Sequence, residues 1–325
     1  MVYYFVIDSV FIASSLRWPG VIGIRLIILF NTFTAKNFIN KNYLGTYRYK
    51  SSANITTNLI KFDCMNLSLE GRNAVICGSS QGIGYAIAEE LAMMGANCIL
   101  LARNEELLQT AVTQLDTSLR QIHSYKVADF SQPETLVPII EELAEQQTIH
   151  ILINNTGGPP AGLVVDAKSE QFVQAFNQHL ICNHILTQAV INGMKKENYG
   201  RIVNIISTSV KIPLKNLGVS NTIRGAVASW AKTMANELGQ FNITVNNVLP
   251  GFTKTQRLES IVKNTSHKKS RSVEEVEKEM QEEVPMKRFG EASEVAVVAA
   301  FLASPAASYV NGVSIPVDGG RTGSI

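Results

Sequence analysis

The sequence predicts a doubly wound α/β fold, a parallel sheet covered by helices on both faces. Two observations carry this. Seven apolar runs of four to six residues alternate with amphipathic segments between Asn73 and Val317, and such alternation builds units whose strands are buried on both faces. The first run also leads directly into a glycine-rich turn, Gly78-Ser79-Ser80-Gln81-Gly82-Ile83-Gly84, that opens a helical pattern.

In chain order, Asn73–Cys77 (NAVIC) reads as the first strand because it is short, continuous and apolar, and Ile83–Met94 as the helix after it. Asn97–Leu101 (NCILL) and Tyr125–Ala128 (YKVA) are the next strands, separated by the amphipathic Glu105–Leu115. Pro133–Glu145 then covers the sheet before His150–Ile153 (HILI), and Glu170–Lys196 forms one long helix before Arg201–Ile206 (RIVNII). Ser220–Leu238 leads to Thr244–Val248 (TVNNV), and Ala292–Leu302 to the last strand, Val313–Val317 (VSIPV). No repeat, low-complexity tract or Pro/Gly-rich linker interrupts the pattern after Met65, so residues 65–325 read as one domain.

Composition narrows the function. With 46% hydrophobic and 17% charged residues and a net charge of +2, the chain can bury a large core, and a disordered or collagen-like chain is excluded. Basic and acidic residues balance at 29 to 27, which gives nucleic acid no reason to bind and points to a small-molecule partner. Cys64, Cys77, Cys98 and Cys182 lie far apart, with no C-x-x-C pair and no histidine cluster at ligand spacing. Free thiols, no metal site and a reducing, cytoplasmic setting follow.

Residues 1–64 are a different kind of sequence. They hold seven Lys/Arg against two Asp/Glu, no glutamate, and 12 of the 24 aromatic residues. The apolar Val21–Phe30 is too short to span a bilayer, which takes about 20 residues, and Arg25 interrupts it. The composition fits a start codon assigned too far upstream; a poorly ordered native tail and a membrane or targeting segment are the alternatives.

The glycine turn suggests chemistry. A strand-to-helix turn of this kind presents backbone N–H groups and a helix N-terminus to a pyrophosphate, so Gly78, Ser80, Gly82, Ile83 and Gly84 are candidate cofactor-binding residues, in the spacing G-x-x-x-G-x-G. The second strand ends at Ala102-Arg103 with no carboxylate to accept the ribose hydroxyls of NAD. Arg103 can pair with a 2′-phosphate instead, favouring NADP(H) over NAD(H); the alternative is a solvated charge at a helix start.

With these motifs the chain resembles the short-chain dehydrogenases/reductases. Further matches run through residues 66–322: Asp129 after the third strand, Asn154-Asn155-Thr156-Gly157 after the fourth, Gly200–Asn204 leading to Ser207, Pro250-Gly251 followed by Thr255, and Val317-Asp318-Gly319-Gly320. Within the family it looks most like the 3-oxoacyl-[acyl-carrier-protein] reductases. The resemblance implies a Rossmann-type fold, with Asp129 near the adenine, Asn155 and Gly157 stabilising the cofactor cleft, and Pro250, Gly251 and Thr255 flanking the nicotinamide. It also implies a dimer or tetramer through Glu170–Lys196 and Ser220–Leu238, with Ala226, Ala228, Trp230, Ala231 and Met234 offered for close packing.

At the catalytic positions the match fails. The family uses Ser, Tyr, Lys and Asn to stabilise and protonate an alkoxide. Here Ser207 keeps the Ser position, but Ser220 stands for Tyr, Arg224 for Lys, and His179, eight residues before Thr187, for Asn. The block from Ser207 to Arg224 resembles a divergent subgroup that also lacks the Tyr. A serine hydroxyl is a far weaker acid than a phenol of pKa about 10, and Arg stays charged. Arg224 can still hold ribose hydroxyls and favour a nearby anion, while the proton arrives from His179, from Lys211, or through water ordered by Ser220 and Asn221.

Residues 254–285 lie where the family carries its substrate lid. Their basic cluster, Lys263, His267, Lys268, Lys269 and Arg271, reads as a solvated mobile loop or as a contact for a phosphopantetheine or an acidic carrier protein. Two functions remain: an NADP(H)-dependent carbonyl reductase acting on a small ketone or acyl thioester, and a catalytically weak or inactive dinucleotide-binding protein acting as sensor or interaction partner.

Overall fold

The apolar runs become seven parallel strands. The structure, a computed structural model, describes residues 2–7, 10–15, 25–30 and 65–324, and the chain divides into the units Met1–Met65 and Asn66–Ile325. In the first unit β1 (Val2–Ile7), β2 (Val10–Ser15) and β3 (Arg25–Phe30) form an antiparallel sheet in that order. The reading of residues 1–64 as a misplaced start or a tail falls mostly on segments outside the described residues.

In the second unit β4 (Asn73–Cys77), β5 (Asn97–Ala102), β6 (Ser124–Val127), β7 (Ile151–Asn154), β8 (Gly200–Ile205), β9 (Ile243–Pro250) and β10 (Ser314–Val317) build one sheet in the order β10-β9-β8-β7-β4-β5-β6. All its pairings are parallel. Successive strand residues face opposite layers. In β4, Ala74 and Ile76 pack with α1 (Gly82–Met93), α2 (Glu105–Gln114) and α9 (Ala292–Ala303), while Val75 and Cys77 pack with α3 (Leu136–Gln146), α5 (Cys182–Lys196) and α6 (Gly218–Leu238). Both faces are therefore apolar, which is why the strands read as unbroken hydrophobic runs and not as alternation. Cys77, Cys98 and Cys182 are free and buried, and no helix among the described residues is long and apolar enough to cross a membrane.

The chain winds outward from β4 through β5 to β6, then returns to start the other half at β7. The strand order reverses between β4 and β7, and that reversal opens a crevice beyond the carboxyl ends of the strands.

Two sequence readings need correction. Glu170–Lys196 is not one regular helix: α4 (Ser169–Phe176) and α5 are joined by a π-helical turn, Asn177–Ile181. Such a turn inserts a residue and re-aims the side chains inside it, and it leaves no mark on hydrophobic periodicity. The basic cluster is not a loop either. Thr255 caps α7 (Gln256–Lys269), and Ser272 and Glu275 form a capping box on α8 (Val273–Glu282). The two helices pack Leu258 and Val262 against Val276 and Met280. Lys269 and Arg271 both pair with Glu279, so two of the five basic residues are spent inside this hairpin.

Candidate active site

The glycine turn after β4 has no room for side chains at two places. A Cβ on Gly84 would lie 2.2 Å from the carbonyl oxygen of Gly78, and one on Gly78 would lie 2.4 Å from that of Asn155. Asn155 closes the turn from the far side of the crevice, its Nδ2 donating to the carbonyls of Cys77 at 3.2 Å and Gly78 at 3.1 Å. Gly82 has a positive φ of 61°, and its nearest neighbour is the Thr255 methyl, 3.5 Å from where a Cβ would stand. The first turn of α1 receives no side-chain cap from Gln81, so its N–H groups are left for a bound anion. Ser80 and Ile83, half-buried, lie in this same turn. These residues fit a dinucleotide's pyrophosphate.

The residues expected at an adenosine end follow β5 and β6. Arg103 is exposed immediately after β5, and Asp129 is half-buried two residues after β6. Hydrogen bonds from Ser131 hold the Asp129 carboxyl below its ordinary range, and the Arg103 charge adds to this. At the other end Gly251 touches β10: its N–H donates to Val317 at 3.0 Å, and a Cβ there would meet Asp318 at 2.6 Å. Pro250 closes β9 just before it. Gly157 has open space on its side-chain face.

Beneath this rim runs a ladder of side chains that the sequence reading passed over. Asn154 donates to Asn204 at 2.9 Å, Asn204 to Asn247 at 2.9 Å, and Asn247 to Ser314 at 3.0 Å. The four residues stand in register on β7, β8, β9 and β10, and the three asparagines are buried. Asparagines at matching positions of otherwise apolar strands were the available signal.

Of the four candidate catalytic positions, Ser207 follows β8 and Arg224 is bonded to the last residue of that strand, while His179 meets the loop after β7. Ser207 is half-buried, and its Oγ accepts from the Ser209 N–H at 3.2 Å. Ser220 and Arg224 lie buried one turn apart on α6. Arg224 Nη1 donates to the carbonyl of Ile205 at 3.0 Å, while its Nε is buried with no hydrogen-bond partner. Burial, with the positive charge of Arg257 second, pushes its pKa down to about 10.

His179 comes from the π turn. It is 3% exposed, its Nδ1 lies 2.6 Å from Thr156 Oγ1, and its Nε2 has no partner. Burial, with the charge of Arg224 second, pushes its pKa down to about 3. The imidazole is therefore neutral at neutral pH, and the expected titrating acid is not what this environment makes. Asn221 is bonded to the backbone of the preceding loop. Its side chain accepts from the Leu214 N–H at 3.3 Å and donates to the Leu214 carbonyl at 2.8 Å, which pins the loop before α6. Lys211 is exposed. Of the residues offered for subunit packing, Ala231 and Met234 are buried in this chain's own core.

A residue missed in the sequence completes the cleft. Arg257, in the first turn of α7, donates through Nη2 to the Pro159 carbonyl at 2.8 Å. A Cβ on Gly158 would lie 3.4 Å from Arg224 Nη2 and 3.9 Å from Arg257 Nη2.

Comparison with known proteins fits this geometry. Residues 78–322 match the enoyl-(acyl carrier protein) reductase family. An NADPH-dependent reductase of Bacillus subtilis is 32% identical over 256 residues, covering 78% of this chain and 99% of that protein. A 3-oxoacyl-[acyl-carrier-protein] reductase of Pseudomonas aeruginosa is 32% identical over 259 residues, covering 78% and 98%. Among solved structures, the L-sorbose reductase of Gluconobacter frateurii, complexed with NADPH and L-sorbose, superposes with a TM-score of 0.76 at 28% identity, covering 80% of this chain and all of that one.

Proposed function

The chain belongs to the short-chain dehydrogenase/reductase family, and we propose that it reduces a carbonyl, of a 3-oxoacyl thioester or similar ketone, to the alcohol with NADPH through an altered proton-donor site. Carrying this reading is the placement of Arg224: anchored to Ile205, two residues before Ser207, it keeps an unpartnered buried Nε beside that serine's strand. Carbonyl reduction needs donors aimed at the oxygen that becomes negative, and a serine hydroxyl with a guanidinium supplies them. A bound NADPH supplies the hydride.

The rest falls to the chain's own groups. Ser207 donates to the carbonyl oxygen, and Arg224 holds ribose hydroxyls while its charge stabilises the developing alkoxide. The oxygen must also gain a proton. Ser220 is too weak an acid and His179 is held neutral, so the proton passes from water with the Ser220 hydroxyl as relay. His179 instead positions Thr156. The site belongs to a divergent subgroup without the family's Tyr, and the protein works in the cytoplasm as a dimer or tetramer joined through α5 and α6.

Preference for NADP(H) rests on exposed Arg103 after β5 and the lack of a carboxylate there. One observation favours the second reading, an inactive dinucleotide-binding sensor or interaction partner: Ser220 puts no phenol in the site. Following NADPH oxidation over a panel of 3-oxoacyl thioesters, ketones and quinones separates them. Turnover supports the reductase; tight NADPH binding with no turnover on any compound supports the sensor.

A further inference from the structure

One arginine of this cleft, Arg224, is buried without a counter-charge, and a second, the exposed Arg257, turns toward the same point. Arg224 is nine-tenths buried, yet among the described residues no carboxylate lies within ion-pair distance of it or of Arg257. Each is held in place by a backbone carbonyl, Ile205 for Arg224 and Pro159 for Arg257. Those bonds occupy one arm of each guanidinium and leave donors over. The Nη2 atoms of both approach one point, the empty side-chain position of Gly158, within 4 Å. Burying a cation without a counter-charge is costly, and two cations turned to one point repel. The arrangement is complementary to something negative, planar and small enough to lie over a residue with no side chain.

We propose that Arg224 and Arg257 form an anion clamp over Gly158 that binds a carboxylate of the substrate, so that the protein acts on oxo acids in preference to neutral ketones. The inference rests on the carbonyl-reductase reading of the same cleft and narrows its substrate, from neutral thioesters and ketones to oxo acids that carry a free carboxylate. Two features support a substrate anion. Gly158 follows Gly157 in the loop that leaves β7, on the cleft side of the switch point, and Arg257 belongs to α7, part of the segment over the substrate end. One clamp residue thus sits at the floor, bonded to the last residue of β8, and the other on α7. An anion between them ties the lid to the floor and removes their mutual repulsion, so binding and ordering of the lid are coupled. A phosphate of the cofactor is the other source of such a charge, since Thr255, two residues before Arg257, lies against Gly82.

The test uses the full-length protein saturated with NADP+, which permits binding without turnover. Acetoacetate and methyl acetoacetate share a 3-oxo group and differ in charge, and their affinities are compared by calorimetry. Wild type is expected to bind the acid at least about tenfold more tightly than the ester, and R257Q to bring the two within about twofold, with R257K in between. NADP+ affinity of R257Q is expected to stay within about twofold of wild type. Equal affinities of acid and ester in wild type, or no binding of either, overturn the clamp. A loss in R257Q that falls on NADP+ and leaves the acid-to-ester ratio unchanged also overturns it, because Arg257 then serves a cofactor phosphate. The two readings fail separately. A wild type that prefers the acid but oxidises no NADPH with any oxo acid keeps the clamp and sinks the reductase. Turnover of the ester at or above the rate of the acid, unaffected by R257Q, keeps the reductase and sinks the clamp.

Discussion

Thr156 Oγ1 and His179 Nδ1 stand 2.6 Å apart, and this contact joins the loop after β7 to the π turn between α4 and α5. Protonating the ring would charge a buried site that already lies in the positive field of Arg224. The pKa of His179 is held near 3, against 6.5 for a free imidazole. The unfolded chain therefore binds the proton more readily, and the stability this histidine contributes is complete above about pH 6.5 and is lost as pH falls toward 3. His179→Asn should lie below wild type in Tm at pH 7 and approach it by pH 4, followed by thermal melts. Turnover in wild type should show no His179-dependent inflection between pH 6 and 7; an inflection that disappears in His179→Asn would restore the imidazole as the acid.

Arg103 is expected to read the 2′-phosphate. A charge-assisted pairing of this kind contributes about 1.5 to 3 kcal/mol, so NADPH should bind roughly ten- to a hundredfold more tightly than NADH. Arg103→Ala should erase most of that difference by weakening NADPH alone. Fluorescence titration with both nucleotides measures it, and equal affinities in wild type would remove Arg103 from the cofactor site.

Ser207→Ala should lower kcat by about 10² or more, as the loss of an oxyanion donor does. NADPH affinity should be almost unchanged, because the serine hydroxyl serves the substrate and not the dinucleotide. A similar loss in both would mean that the substitution disturbs the loop that Ser207 caps.

Asn204→Leu removes the middle rung of the amide ladder. It leaves the buried Asn154 amide N–H and the Asn247 carbonyl without their partners, at about 1 to 3 kcal/mol for each orphaned group. Denaturant unfolding should show a loss of about 2 to 6 kcal/mol, and a loss below about 1 kcal/mol would mean that water replaces the rung.

Assembly is tested by light scattering at micromolar concentration, where a dimer or tetramer is expected. Gly225 is exposed on α6 with nothing within 4 Å of its side-chain position, so Gly225→Trp should leave the monomer folded and shift the measured mass downward if α6 is the joining face. An unchanged oligomer would move the interface elsewhere.

The sheet was legible because each strand is buried on both sides. NAVIC and NCILL have no polar face to confuse with a helix, and the structure places both within a residue of their predicted bounds. Ser207, Ser220 and Arg224 were reached through the family resemblance and their roles are proposals; what the fold adds is that Arg224 is bonded to the last residue of β8, two before Ser207. What escaped depends on contacts between distant segments. The π turn differs from a regular helix by one residue, which an apolar pattern does not register. Arg257 and Arg224 are 33 positions apart, and only the fold brings them to Gly158. Asn221 read as a neighbour of the reacting groups, but the partner that takes its side chain, Leu214, lies behind it in the loop. α7 escaped because its charged surface reads like that of a solvated loop, and its two buried residues, Leu258 and Val262, gain a face only once α8 is opposite them.

The Asn154–Asn204–Asn247–Ser314 ladder also acts as a datum line. Asn155 emerges one residue past it, Ser207 three residues past its rung on β8, and Pro250 three past its rung on β9. Whatever happens on the near side of the line alters where all three emerge, and whatever happens beyond it alters one loop at a time. A residue inserted upstream, between Arg201 and Asn204, would throw the rung out of step and tilt the whole rim. The same insertion between Lys211 and Asn216 would lengthen an exposed loop and leave the levels of Asn155 and Pro250 as they are. In this molecule substrate preference is free to drift in the loops, while the height of the cleft floor is locked by four side chains bonded to one another across the strands.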